Sequence, residues 1–211
     1  MSTSLSSENV HDRPRLPIFL AGATGVIGIR LLPLLIAEHH TVAGMTRSPE
    51  EIDQLRALGA EPIICDVFDS VLLTKAVTTF QPNAVIHQLT DLPDDVDQLP
   101  DFGARNDRIR TEGTHNLIAA AKAAGVRHLL AQSIAWRPPG RAEIVDQHER
   151  QVLDARGVVV RYGRLYGPGT FYQDQLPPPP RIHVDHAARA TPPLLQAPAG
   201  VVVLTEEPRS D

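Results

Sequence analysis

Gly22-Ala23-Thr24-Gly25-Val26-Ile27-Gly28 follows a short apolar run, Leu16 to Ala21, and opens a stretch with helical spacing. A glycine at every third position of such a junction leaves few folds open. The first permits a tight turn, the second lets the backbone approach a pyrophosphate, and the third lets helix and strand pack closely. The start of the helix then offers free N–H groups and a partial positive charge to phosphates. The motif predicts a βα unit that holds a dinucleotide through Gly22, Thr24, Gly25, Val26, Ile27 and Gly28.

The rest of the chain repeats the alternation. Strands are expected at Leu16–Ala21, Thr41–Thr46, Pro62–Val67, Ala84–Leu89, Val126–Ser133, Val158–Tyr162 and Gly200–Leu204. Helices are expected at Val26–His39 (kinked by Pro33), Pro49–Leu58 (capped by Ser48), Ser70–Phe80, Arg105–Ala124, Ala142–Ala155 and Asp185–Ala190. Asp91–Asp101 is acidic, carries two prolines and reads as a loop. This order implies a doubly wound α/β fold with a parallel Rossmann sheet. Residues 1–15 read as a disordered polar tail. Residues 16–211 read as a single domain, with a reduced C-terminal lobe for substrate after residue 165.

Composition narrows the partners. A net charge of -5 with no basic block argues against nucleic acid. No apolar stretch is long enough to span a membrane, and a cytoplasmic location is expected by default. The single cysteine, Cys65, sits in an apolar run and reads as a buried strand residue.

The second strand should end at Thr46-Arg47-Ser48, about 20 residues past the glycines, where NAD enzymes usually place an acidic residue. Arg47 can instead pair with a 2′-phosphate, which points to NADP, with NAD as the alternative. Asp66, with Val67, ends the third strand and can accept from an adenine amino group. Leu89 and Thr90 end the fourth, where the chain should pass over the cofactor.

With these residues in place, the chain resembles the extended and atypical short-chain dehydrogenase/reductase superfamily, in its epimerase/dehydratase-like branch. The likeness runs from Ile18 to Leu204. It rests on AGATGVIG at 21–28, CDVFD at 65–69, TEGTHNLIAAAKAAGV at 111–126, LLAQSIAW at 129–136, VVVRYGRLYGPGT at 158–170 and IHVDHAARA at 182–190. The resemblance implies that Ser133 hydrogen-bonds the reacting carbonyl. It also implies that Tyr162, Gly163 and Arg164 lie against the nicotinamide. The family's catalytic tyrosine and lysine, counted back from Glu149, fall on Arg141 and Val145, and no Tyr-x-x-x-Lys occurs in the chain. The supporting asparagine is replaced by Arg110. The regions that build the substrate pocket in the family are short here.

Tyr166 and Tyr172 are the phenols placed to supply a proton, beside Ser133. Asp146 and Arg150 have i,i+4 spacing and read as a surface pair. His87 reads as a structural histidine in preference to an acid/base group. His183 and His186 lack further ligands, so no metal site is expected, and His39-His40 reads as a solvated helix end. The sequence leads to an NADPH-dependent reductase of a small carbonyl or enone. A non-redox isomerase, dehydratase or cyclase and an NmrA-like dinucleotide sensor are the alternatives. A homodimer through the helices at 105–124 and 142–156 is expected.

Overall fold

A computed structural model describes residues 15–92 and 99–206. The elements are β1 (Pro17–Ala21), α1 (Gly28–Ala37), β2 (Thr41–Thr46), a 3₁₀ turn (Pro49–Glu51) leading into α2 (Ile52–Ala57), β3 (Glu61–Ile64), α3 (Ser70–Phe80) and β4 (Ala84–His87). Then come α4 (Leu99–Arg108), a π turn (Ile109–Gly113), α5 (Thr114–Ala123), β5 (His128–Ile134), α6 (Ala142–Asp154) and β6 (Val158–Tyr162). The chain continues with β7 (Arg164–Tyr166), β8 (Arg181–His183), α7 (Val184–Ala190) and β9 (Gly200–Leu204).

Seven strands form one sheet in the order β3-β2-β1-β4-β5-β6-β9, with every neighbouring pair parallel. Parallel strands covered on both faces must be apolar along their whole length. PIFLA in β1 and AVIH in β4 are buried almost throughout. Leu31, Leu32 and Leu35 of α1, Leu55 of α2 and Val184 of α7 fill one face. Leu73 and Val77 of α3, Leu117 of α5 and Val152 of α6 fill the other. Each such leucine contributes roughly 1.5–3 kcal/mol by leaving water. The order in which strands are added reverses between β1 and β4, so the loops after them diverge and leave a crevice at their carboxyl ends.

Three expectations need correction. The third strand stops at Ile64, because Asp66 Oδ1 accepts from the Phe68 N–H and folds the chain into a turn. The helix expected at Arg105–Ala124 starts at Leu99, within the segment read as a loop, and is broken by the π turn. There the Thr114 hydroxyl oxygen lies 3.2 Å from the Ile109 carbonyl oxygen, five residues back. His40 is buried, and its Nδ1 accepts from the Leu16 N–H at 3.0 Å, so only His39 is solvated. The expected tail falls outside the described residues except for Arg15.

Two short strands were not anticipated. β7 and β8 pair in parallel as a separate sheet beside the end of β6. They can do so because Gly163 has no side chain: a Cβ there would stand 2.6 Å from the Arg181 carbonyl carbon. Arg30 of α1 ties this lobe to the glycine loop, donating to the Val26 carbonyl at 2.8 Å, the Pro168 carbonyl and the Asp185 carboxylate at 2.9 Å.

Candidate functional site

The glycine loop leaves β1 at the crevice. Gly22 has φ +83°, and a Cβ on it would lie 2.8 Å from the Gln88 carbonyl group. A Cβ on Gly28 would lie 2.1 Å from the Gly22 carbonyl oxygen, so helix and turn touch through bare backbone. Gly25 differs: its Cβ would meet only the Gly22 carbonyl oxygen, at 3.4 Å, and otherwise point into open space. Among the described residues, the N–H groups of Thr24, Val26 and Ile27 have no backbone partner. This is a cradle of free donors at the start of α1, and it fits the pyrophosphate of a dinucleotide.

The chain after β4 forms the opposite wall and is pinned from below. Leu89 donates its N–H to His87 Nδ1 at 3.2 Å and accepts from Gln132 Nε2 at 3.0 Å. Thr90 beyond it is exposed. His87 is 2% exposed, and burial drives its pKa from 6.5 down to about 3. It is therefore neutral and structural.

Arg47 follows β2 directly. Its guanidinium pairs with Asp91, at 3.2 and 3.5 Å, across the end of β1. Arg105 of α4 pairs with the same carboxylate, at 2.9 and 3.1 Å. Asp91 is buried, while both arginine side chains are about half exposed. Sequence reasoning identified Arg47 but missed Asp91 and Arg105. No sequence signal singles out Asp91, which is the first of five aspartates between residues 91 and 101. Asp66 is exposed with one carboxylate oxygen on the Phe68 N–H, while Val67 is buried against Gly113.

At the other end two of the three expected proton donors, Ser133 and Tyr166, are engaged. Ser133 is 2% exposed and donates to Glu149 Oε1 at 2.6 Å, so it does not stand free at a reacting carbonyl. Arg161 holds both oxygens of Glu149, at 2.8 and 2.5 Å. Burial favours protonation of Glu149, but the hydrogen bonds from Arg161 and Ser133 outweigh it and keep the carboxyl below its usual range. The side chain expected at the substrate thus fastens α6 to β5 and β6.

Tyr162 is buried with its hydroxyl 2.6 Å from Thr191 Oγ1 and accepting from Gln88 Nε2 at 3.2 Å. Gly163 is buried against the Arg181 backbone. Tyr166 donates to Glu206 at 2.8 Å. Tyr172, half buried, makes no side-chain hydrogen bond among the described residues.

Arg164 lies over the Trp136 ring, 4.8 Å from its centroid. One of its nitrogens donates to the carbonyls of Pro178 and Pro179, and no described carboxylate pairs with it. Both side chains leave the carboxyl ends of adjacent strands, β5 and β6. The sequence signal for this pair was the only tryptophan of the chain next to the end of a strand.

The positions of the missing tyrosine and lysine are filled in ways that forbid proton transfer. Arg141 pairs with Asp107 of α4, and Val145 is fully buried. A guanidinium does not deprotonate near neutral pH. Arg110, where the supporting asparagine is expected, is a half-buried cation whose pKa burial lowers. Asp146 pairs with Arg137 at 2.6 Å instead of with Arg150. His183 Nδ1 accepts from the Asp185 N–H and caps α7.

Comparison with known proteins agrees with this geometry. An NAD(P)H-binding family model matches residues 22–155. A 3-diazoavenalumate denitrifying reductase from a Streptomyces species is 39% identical, over 74% of this chain and 58% of that protein. The chain therefore spans well under two thirds of that relative's length. Among solved structures, Bordetella bronchiseptica WbmG in complex with NAD superposes with a TM-score of 0.71 at 21% identity, covering 92% of this chain and 74% of that one. The UDP-glucose 4-epimerase of Thermus thermophilus with NAD gives 0.70 at 18% identity, covering 90% and 77%.

Proposed function

The chain belongs to the NAD(P)H-binding family, and from that premise we propose that it is an NADP(H)-dependent reductase whose substrate accepts a hydride without needing a proton from the protein. The observation that carries this reading is the contrast between its two halves. The dinucleotide cradle is intact, while Arg141 and Val145 replace the acid pair. Ser133 commits its O–H to a hydrogen bond with Glu149.

When bound, the nicotinamide supplies the hydride. Gly22, Gly25, Gly28 and the free N–H groups of Thr24, Val26 and Ile27 would hold the pyrophosphate. Arg47 would hold the 2′-phosphate, which favours NADP over NAD. Asp66 would face the adenine, and Leu89 and Thr90 would line the path between.

A carbonyl that gains a hydride must also gain a proton at oxygen. Tyr172 or water would have to supply it here. An aryl diazonium consumes no net proton: hydride adds to the terminal nitrogen to give an aryl diazene, the N–H bond then releases its proton as the carbon–nitrogen bond breaks and N₂ leaves, and a proton is returned to the ring carbon that carried the nitrogen. The name of the Streptomyces relative describes a diazo substrate that loses nitrogen, and that class suits a site without an acid better than the carbonyl or enone expected from sequence. Arg164, stacked on Trp136, would take the carboxylate of such an aromatic acid, with the ring beside the indole.

The test is to mix the protein and NADPH with an aryl diazonium acid, a ketone and an enone, following absorbance of the reduced nicotinamide. Oxidation with release of N₂ supports the reading. Oxidation by the carbonyls alone restores the class expected from sequence. Tight NADPH binding with no oxidation by any of them favours a sensor. The reading also includes a homodimer through α5 and α6, which light scattering tests, and a cytoplasmic location, which fractionation tests.

A further inference from the structure

We infer that Arg105 is a second ligand of the 2′-phosphate, and that Asp91 is an internal anion that holds Arg47 and Arg105 in place to receive it. This rests on the NADP reading above. The charges at the site carry the argument. Arg47 alone is neutralised by Asp91, at 3.2 Å, and an arginine paired with an aspartate offers no net charge to a phosphate. Arg105, 2.9 Å from the same carboxylate, restores a net positive charge.

The geometry leaves donors to spare. Arg47 faces Asp91 through Nη1 and Nη2, and its Nε–H has no partner among the described residues. Arg105 uses Nε and Nη2, and its Nη1 has none among them either. The carboxylate is 7% exposed, whereas the side chains of Arg47 and Arg105 are 55% and 51% exposed. Both guanidiniums are thus open enough to offer further N–H groups to a ligand while the carboxylate between them stays buried.

The arrangement is also braced. The Asp91 N–H donates to Asn106 Oδ1 at 3.2 Å, one residue from Arg105. The Arg105 guanidinium lies 4.4 Å from the Phe102 ring centroid. Arg47 leaves the end of β2 and Asp91 follows β4, so the pair spans the end of β1, where the glycine loop departs. A phosphate on the adenosine ribose would meet two guanidiniums already held by a buried partner. Less rotamer freedom is then lost on binding.

Calorimetry with NADPH and NADH, on the wild type, Arg47→Ala and Arg105→Ala, tests this. The wild type is expected to prefer NADPH. Arg105→Ala is expected to weaken NADPH by about tenfold or more and to leave NADH within about twofold, as loss of a charge-assisted bond requires. Adenosine 2′,5′-bisphosphate against AMP should repeat the pattern without the nicotinamide. If Arg105→Ala weakens both dinucleotides equally, Arg105 only supports α4 and the inference fails. If the wild type prefers NADPH and only Arg47→Ala removes the preference, the inference fails and the NADP reading stands. If the wild type shows no preference, the NADP reading falls and takes the inference with it.

Discussion

His87 and His148 meet edge to face, 5.6 Å apart, and share the hydroxyl of Thr114, at 3.0 and 2.9 Å. The protons can be assigned. His87 Nδ1 accepts from Leu89, so its Nε2–H donates to Thr114. His148 Nε2–H donates to the Gln132 carbonyl at 2.8 Å, so its Nδ1 is free to accept from Thr114. Both rings are neutral, and burial lowers both pKa values.

This network predicts acid sensitivity. The unfolded chain takes up a proton at His87 near 6.5, while the folded chain resists until about 3. In that window the unfolded state binds more protons, so stability is complete above 6.5 and is lost as pH falls. The slope is at most about 1.4 kcal/mol per pH unit for each ring. Thermal melting between neutral and mildly acid pH should show it, and His87→Gln should make it shallower. An unchanged slope in the variant would mean that other groups set the acid limit.

Ser133→Ala should cost stability and spare chemistry. The hydroxyl bonds a charged carboxylate, a contact of about 1.5–3 kcal/mol. Were it a donor to a reacting carbonyl, its loss would cost about a hundredfold or more in kcat. We expect a lower melting temperature with kcat nearly intact. A collapse of kcat in a well-folded variant would return Ser133 to the catalytic role expected from the family.

Two glycines of one loop should respond oppositely to alanine. Gly28→Ala drives a Cβ to 2.1 Å from the Gly22 carbonyl oxygen and should destabilise the fold by about 3 kcal/mol or more. Gly25→Ala meets only one atom, at 3.4 Å, and should leave the melting temperature alone. It should instead weaken dinucleotide binding by about tenfold or more, because the methyl occupies space a phosphate needs. Normal binding by Gly25→Ala would move the pyrophosphate elsewhere.

Arg164→Ala should separate substrate from cofactor. We expect KM for an aromatic acceptor bearing a carboxylate to rise about tenfold, with NADPH affinity unchanged. The methyl ester of that acceptor should show no such difference. A loss of NADPH affinity would place Arg164 at the cofactor, as expected from the family resemblance.

The sheet and the glycine loop were legible because both are local. Apolar runs of five or six residues and three spaced glycines state their own structure. β2, β6 and β9 fall on the residues expected. The unforeseen features join distant segments. β7 and β8 are only three residues each and carry no periodicity. Ser133 reads as a catalytic serine until Glu149 and Arg161 are seen to enclose it. Arg47 reads as a phosphate ligand from its place after a strand, but nothing nearby announces that Asp91, 44 residues on, holds it.

Arg30 has a kinetic consequence. Its one guanidinium joins the Val26 carbonyl in the glycine loop to Pro168 and Asp185 in the lobe. A displacement of the loop large enough to let a spent dinucleotide escape pulls on the lobe as well. In the reductase proposed above, egress of the nucleotide and parting of the substrate side would belong to one event, and the breaking of three bonds to a single side chain would govern how long product stays.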